Sequence, residues 1–99
     1  MKLYFVESAS ADNFVLAETS RGVLASNCAP DGCFAGVSLH GEDPAAIVAA
    51  IRSVIVPDIC EEDLDWMGDV CCESVDAFVA EQADWELWQQ DRLHLIGEY

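Results

Sequence analysis

The chain opens on two runs of aliphatic, aromatic and β-branched residues, KLYFVE at 2–7 and NFVLAET at 13–19, split by ASADN, whose small and polar residues favour a turn. The pattern predicts two strands paired as a hairpin. SRG at 20–22 reverses the chain again into VLASN at 23–27, and after the loop CAPDG a further apolar piece, CFAGVSL, runs from 33 to 39. Short strands joined by short connections predict an antiparallel sheet.

A helix follows with an explicit start signal. Asp43 can accept from the free backbone N–H groups, Pro44 takes the first helical position, and AAIVAAIRSVI continues without a breaker until Pro57. At 100° per residue Ile47, Val48, Ile51, Val54 and Ile55 share one face and Ala45, Ala49 and Ser53 lie opposite, so the 44–55 helix is predicted to cover one side of the sheet.

From Asp58 the pattern changes. Residues 61–67 read as a helical turn and 74–90 as a longer helix capped by Ser74, with Val75, Phe78, Val79, Gln82 and Trp85 on one side and Asp76, Glu81, Asp84 and Asp91 on the other. Leu87 and Trp88 fall on the acidic side if that helix stays regular. RLHLIGEY at 92–99 alternates as a last strand returning to the sheet edge. The expected architecture is α+β: one domain with a small antiparallel sheet, packed helices and an acidic helical C-terminal half.

Charge sharpens this picture. The 99 residues are 53% hydrophobic, enough for a folded core, yet 19 Asp and Glu stand against 4 Lys and Arg, a formal net charge of -15. The acids are segregated. Between Arg52 and Arg92 there is no base, and those 39 positions hold 12 of the acids, whereas residues 1–57 hold 6. General salt adaptation would spread them evenly; this layout points to a dedicated surface.

The stretch CEEDLDWMGDVCCES at 60–74 invites a calcium reading, since Asp63, Asp65 and Gly68 match the first, third and sixth positions of a helix-flanked calcium loop. It fails at Met67 and Ser74, where two further ligands belong. Cys28 and Cys33 have the outermost zinc-knuckle spacing, but Cys60, Cys71, Cys72, His40 and His94 supply no second knuckle. Neither histidine stands beside a nucleophile in a known elbow, and no phosphate-binding glycine loop or zinc-protease motif is present. No catalytic residue, metal ligand or cofactor site is therefore assigned. The N-terminal segment lacks the apolar core of a secretory signal, so a cytoplasmic location with reduced, core-packed thiols is expected.

Bases at positions 2, 21, 52 and 92 cannot form the basic stripe that phosphate contacts require, which excludes direct nucleic-acid binding. The inverse holds. Residues 61–91 carry 11 carboxylates in 31 positions, and a helical rise of ~1.5 Å per residue would space them by roughly 4 Å, near the ~3.4 Å of phosphates along one DNA strand. Such a stripe suits the basic channel of a nucleic-acid-binding protein. The candidate contact residues are Asp58, Glu61, Glu62, Asp63, Asp65, Asp69, Glu73, Asp76, Glu81 and Asp84, with Trp88 as an apolar anchor and Trp66 and Trp85 read first as core.

In its size, its acidity concentrated in the second half and its lack of a catalytic motif, the chain resembles the small phage-encoded anti-CRISPR proteins that mimic DNA. The resemblance covers the whole chain in composition and rests on no shared motif. It implies a host-cell cytoplasmic inhibitor whose partner is a CRISPR effector or its subunit, bound where a basic surface reads the protospacer-adjacent motif or holds target DNA. The competing expectations are an immunity protein or antitoxin that neutralises a basic nuclease, and a non-catalytic acidic domain with a metabolic or structural role.

Overall fold

The computed structural model describes residues 1–7, 13–25, 33–34, 37–38, 43–54, 60–62, 64, 69–82 and 93–99. The fold is α+β. Strands β1 (Lys2–Val6), β2 (Phe14–Thr19), β3 (Gly22–Ala25), β6 (Val70–Cys72) and β7 (Leu93–Glu98) form one antiparallel sheet in the order β6-β3-β2-β1-β7. The predicted β1–β2 hairpin runs in register from Lys2 opposite Glu18 to Val6 opposite Phe14. The 92–99 alternation returns as predicted, with β7 on the outer edge beside β1. Its register shifts by one residue opposite Leu3 and Tyr4. The first and last residues close the same ladder: the Met1 nitrogen donates to the Tyr99 carbonyl at 2.9 Å, and the Tyr99 N–H to the Met1 carbonyl at 2.8 Å.

Strand alternation sends side chains to two faces, and each face has its own helix. Leu3, Phe5, Val15, Ala17, Leu24 and Ile96 point to one side, where they pack with Ile47 and Ile51 of α1 (Pro44–Val54) and with Leu64. Ile51 and Phe5 are completely buried, and each such side chain removed from water contributes roughly 1.5–3 kcal/mol. Where it is described, the predicted stripe on α1 is the observed one: Ile47 and Ile51 are buried, Val48 half-buried, and Ala45, Ala49 and Ser53 exposed, while the Val54 side chain and Ile55 lie outside the described residues. Asp43 stands at its start, with Oδ1 accepting from the Ala45 N–H at 3.4 Å and its carbonyl from the Ile47 N–H at 3.0 Å. Arg52, in the last turn, reaches across to the sheet edge, where its guanidinium donates to the carbonyls of Ile96 (2.6 Å) and Leu95 (3.2 Å). It covers edge acceptors that would otherwise invite another strand.

Val6, Leu16 and Val23 point the other way, against Val75 and Phe78 of α2 (Val75–Gln82), with Tyr4, Phe14, Cys72, Val79 and Leu93 around them. Phe14 and Phe78 meet edge to face at 6.2 Å. Ser74 caps α2 as its sequence position suggests, its Oγ accepting from the Ala77 N–H at 3.1 Å. A second cap comes from the sheet: Glu18 Oε2 accepts from the Val75 N–H at 2.8 Å. The sheet is thus the middle of three layers, with α1 below and α2 above. Among the described residues no helix is long and apolar enough to cross a membrane.

Two expectations are corrected, and one unassigned stretch gains a strand. The apolar run at 33–39 is not one strand: β4 (Cys33–Phe34) and β5 (Val37–Ser38) pair with each other as a separate two-stranded sheet, because Cys33 faces Ser38 and Phe34 faces Val37. Between the expected turn and helix of the acidic half, where the sequence assigned no element, Val70–Cys72 adds a strand to the far edge of the main sheet; of the helix expected over 74–90, Val75–Gln82 is helical and residues 83–90 lie outside the described residues. The thiols are not uniformly core-packed. Cys60 and Cys71 are exposed and Cys72 is half-buried.

Candidate functional site

Glu61 and Glu62 lie in a short 3₁₀ turn that Leu64 pins into the lower core. That turn sits over the β2–β3 hairpin. The Ser20 backbone N–H donates to Glu61 Oε1 at 2.9 Å, the Ser20 hydroxyl to Oε2 at 2.8 Å, and Arg21 to the Glu61 carbonyl at 3.2 Å. Both Ser20 bonds favour the ionised carboxylate and hold its pKa below the ordinary value. Within the hairpin, Thr19 Oγ1 donates to the Gly22 carbonyl and accepts from the Arg21 N–H, while Gly22 adopts φ +118°. Glu61 therefore has an internal task. It fastens the acidic half of the chain to the N-terminal sheet.

Glu62, Asp69, Glu73, Asp76 and Glu81 are all exposed. The described bases are occupied elsewhere: Lys2 pairs with Glu98 at 3.7 Å, Arg21 holds the Glu61 carbonyl, and Arg52 holds the β7 edge. Among the described residues no cation is paired with any of these five carboxylates. Asp58, Asp63, Asp65, Asp84 and Trp88 lie outside the described residues, as do Trp66, Trp85 and Leu87.

Two titrating groups register the resulting field on the α2 side. Burial first, then the carboxylates of Glu18, Glu98 and Asp76 against the opposing effect of Lys2, push the Tyr4 phenol above its ordinary pKa. Burial, the neighbouring Cys71 and the charge of Glu81 push the Cys72 thiol up to about 12. Glu18 and Glu98 thus add to the acidic potential over α2 from strand positions. Sequence reasoning missed them because it sought the acids within one contiguous segment, whereas strand positions on β2 and β7 let these two act with Asp76 on the same Tyr4 phenol.

A different place carries chemistry without charge excess. An open groove of about 900 Å³ runs between α1 and the outer edge of β7, lined in part by Glu7, Asp43, Val48, Arg52, His94 and Leu95. His94 stacks on Phe5 at 5.9 Å and its Nε2 lies 2.8 Å from Glu7 Oε2. The pair is oriented, but none of the described lining residues is a Ser, Thr or Cys that it could activate. His94 is packed and paired, while His40 lies outside the described residues.

Among the described residues no group of three or more His, Cys, Asp or Glu converges as a metal would need. Asp63, Asp65, Met67 and Gly68 of the loop considered for calcium, and Cys28 with the Cys33 side chain of the spacing considered for zinc, lie outside those residues. Comparison with protein-family models, with curated proteins and with solved structures finds no match to the chain.

Proposed function

We propose that this protein is a stoichiometric inhibitor that occupies a basic nucleic-acid-binding surface, most specifically that of a CRISPR effector subunit, and keeps target DNA or its recognition motif out. The observation that carries the reading is the exposed set Glu62, Asp69, Glu73, Asp76 and Glu81, with no cation paired to any of them among the described residues. A three-layer body holds these groups on α2, beside both ends of β6 and on the 3₁₀ turn, so their charge reaches a partner without first being collected from a floppy tail. Encounter would be steered by charge, fast and salt-sensitive, and residence would be set by whatever apolar side chains meet the partner's pocket. The reading involves neither a catalytic step nor a cofactor.

The test is capture followed by competition. The chain is immobilised, exposed to lysate from cells that carry RNA-guided effectors and nucleases, and eluted with salt. A basic nucleic-acid-handling protein should elute, and the same chain with Glu62→Gln, Asp69→Asn, Glu73→Gln, Asp76→Asn and Glu81→Gln should retain its circular dichroism and lose that partner. The purified partner, loaded first with the chain, should fail to bind its target DNA. Equal capture by the amide chain, or a loaded partner that binds DNA normally, refutes the proposal.

A further inference from the structure

Adjacent residues of a regular strand point to opposite faces, so neighbouring cysteines ordinarily keep their thiols apart. Strand β6 departs from this. Val23 faces Cys72 and Leu24 faces Val70, which leaves Cys71 as an extra residue without a partner in the ladder, the signature of a β-bulge. The bulge turns both side chains the same way, and the two sulfurs stand 3.5 Å apart, Cys71 exposed and Cys72 half-buried against the α2 cluster.

That separation is too long for a bond between the sulfurs, and the backbone resists shortening it. Successive Cα atoms lie about 3.8 Å apart across a trans peptide, below the ~4.4 Å minimum usual for a disulfide. It does suit one atom held between the two sulfurs. Two bonds of about 2.3 Å, the length of a zinc–thiolate bond, span 3.5 Å when the angle at the central atom is about 99°. This is wider than a right angle and narrower than tetrahedral, the range of a pyramidal trivalent centre.

We propose that Cys71 and Cys72 form a chelating dithiol for a single trivalent thiophilic centre, of the arsenous or organoarsenous class. Donor count separates this ligand from a divalent metal. A tetrahedral cation needs four ligands, and the described residues offer no cluster of three. An aryl arsenoxide brings its own third substituent and asks for two thiols only. Proton balance points the same way: the Cys72 thiol, raised to about 12, resists becoming the thiolate that a metal dication requires. The arsenoxide exchanges its two arsenic–oxygen bonds for two arsenic–sulfur bonds, and both thiol protons leave with the oxygen as one water. Arsenic remains trivalent and neither sulfur is oxidised.

Phenylarsine oxide is the probe. Folded wild-type chain is treated with one equivalent, then with iodoacetamide, and digested for mass spectrometry. Cys71 and Cys72 should be protected together; a dithiol such as ethanedithiol should restore alkylation, and a monothiol such as glutathione should not. Cys71→Ser and Cys72→Ser should each abolish protection of the remaining thiol. In the chain carrying Cys28→Ser, Cys33→Ser and Cys60→Ser, intact mass should show one adduct with loss of one water. Because the bulge presents the thiols already paired, the folded chain should bind at least about tenfold more tightly than the urea-unfolded chain, which reads as a raised unfolding midpoint. Alkylation of Cys71 and Cys72 unaffected by the arsenical, or an unchanged midpoint in wild-type chain, overturns the proposal even if the serine variants fail to fold.

Discussion

Gly22 is the position where the smallest change should have the largest mechanical effect. Its φ of +118° lies where an L side chain is strained, at about 1–3 kcal/mol. A methyl group there would also stand 2.7 Å from Val70 Cγ1 and 2.9 Å from the Cys72 carbonyl oxygen, well inside the ~3.5–4.0 Å at which carbon atoms attract. Relief requires β6 to move away from β3, since one of the two obstacles is backbone. Forced overpacking of this kind adds about 1–3 kcal/mol, so Gly22→Ala should destabilise the fold by about 2–6 kcal/mol. Equilibrium urea unfolding followed by circular dichroism measures it: at a slope of about 1.5 kcal/mol/M, a loss of 3 kcal/mol lowers the midpoint by about 2 M. The double variant Gly22→Ala/Val70→Ala separates the terms. Val70 is 48% exposed, so its own truncation should be mild, and removing it should recover the side-chain clash while leaving the backbone strain and the Cys72 contact. A single variant within about 0.5 kcal/mol of wild type would refute the reasoning, for that is the ordinary scatter of surface substitutions.

Three further outcomes follow from the packing and the charges. Ile51→Ala, which empties a fully buried site between α1 and the sheet, should lose about 2–5 kcal/mol by the same urea assay. Ser74→Ala, which removes the Ala77 cap while Glu18 still holds the Val75 N–H, should lose about 1 kcal/mol, read as increased hydrogen exchange in the first turn of α2 as well as a lower midpoint. Glu61→Gln should lower the urea midpoint at pH 6 but not at pH 2. Because Ser20 depresses the folded pKa of Glu61 below its ordinary value, the carboxylate's contribution is complete above that ordinary value and is lost as pH falls through the folded pKa. A midpoint difference that persists at pH 2 would show that the amide acts through shape and not through charge.

The sequence made α1 legible because every local signal agreed there. Asp43 and Pro44 mark its start, Pro57 lies beyond its end, and the Ile47–Ile51 stripe has helical period. The β1–β2 hairpin, the SRG turn, the Ser74 cap and the returning β7 were legible for the same reason. β6 was not. It has three residues in an acidic run, its alternation is broken by the bulge at Cys71, and it exists because β3 offers an edge on which it can pair. Tertiary context also overrode the reading of 33–39, where two paired dipeptides replace one long strand. In the candidate surface, the exposure of Asp76 and Glu81 followed from helical period. The internal engagement of Glu61 with Ser20, 41 residues away, and the contributions of Glu18 and Glu98 depend on strand register, which no local pattern encodes.

The ladder between β1 and β7 joins residues 2–6 to residues 93–98. β1 is therefore synthesised long before the strand that covers its second edge. At about 5–20 residues per second of synthesis, β1 spends several seconds with one edge uncovered, and the long chain closure that covers it is the kind of contact that slows folding most. The sheet is complete only once β7 has emerged and folded back, and until then the outer edge of β1 stays open to any other strand.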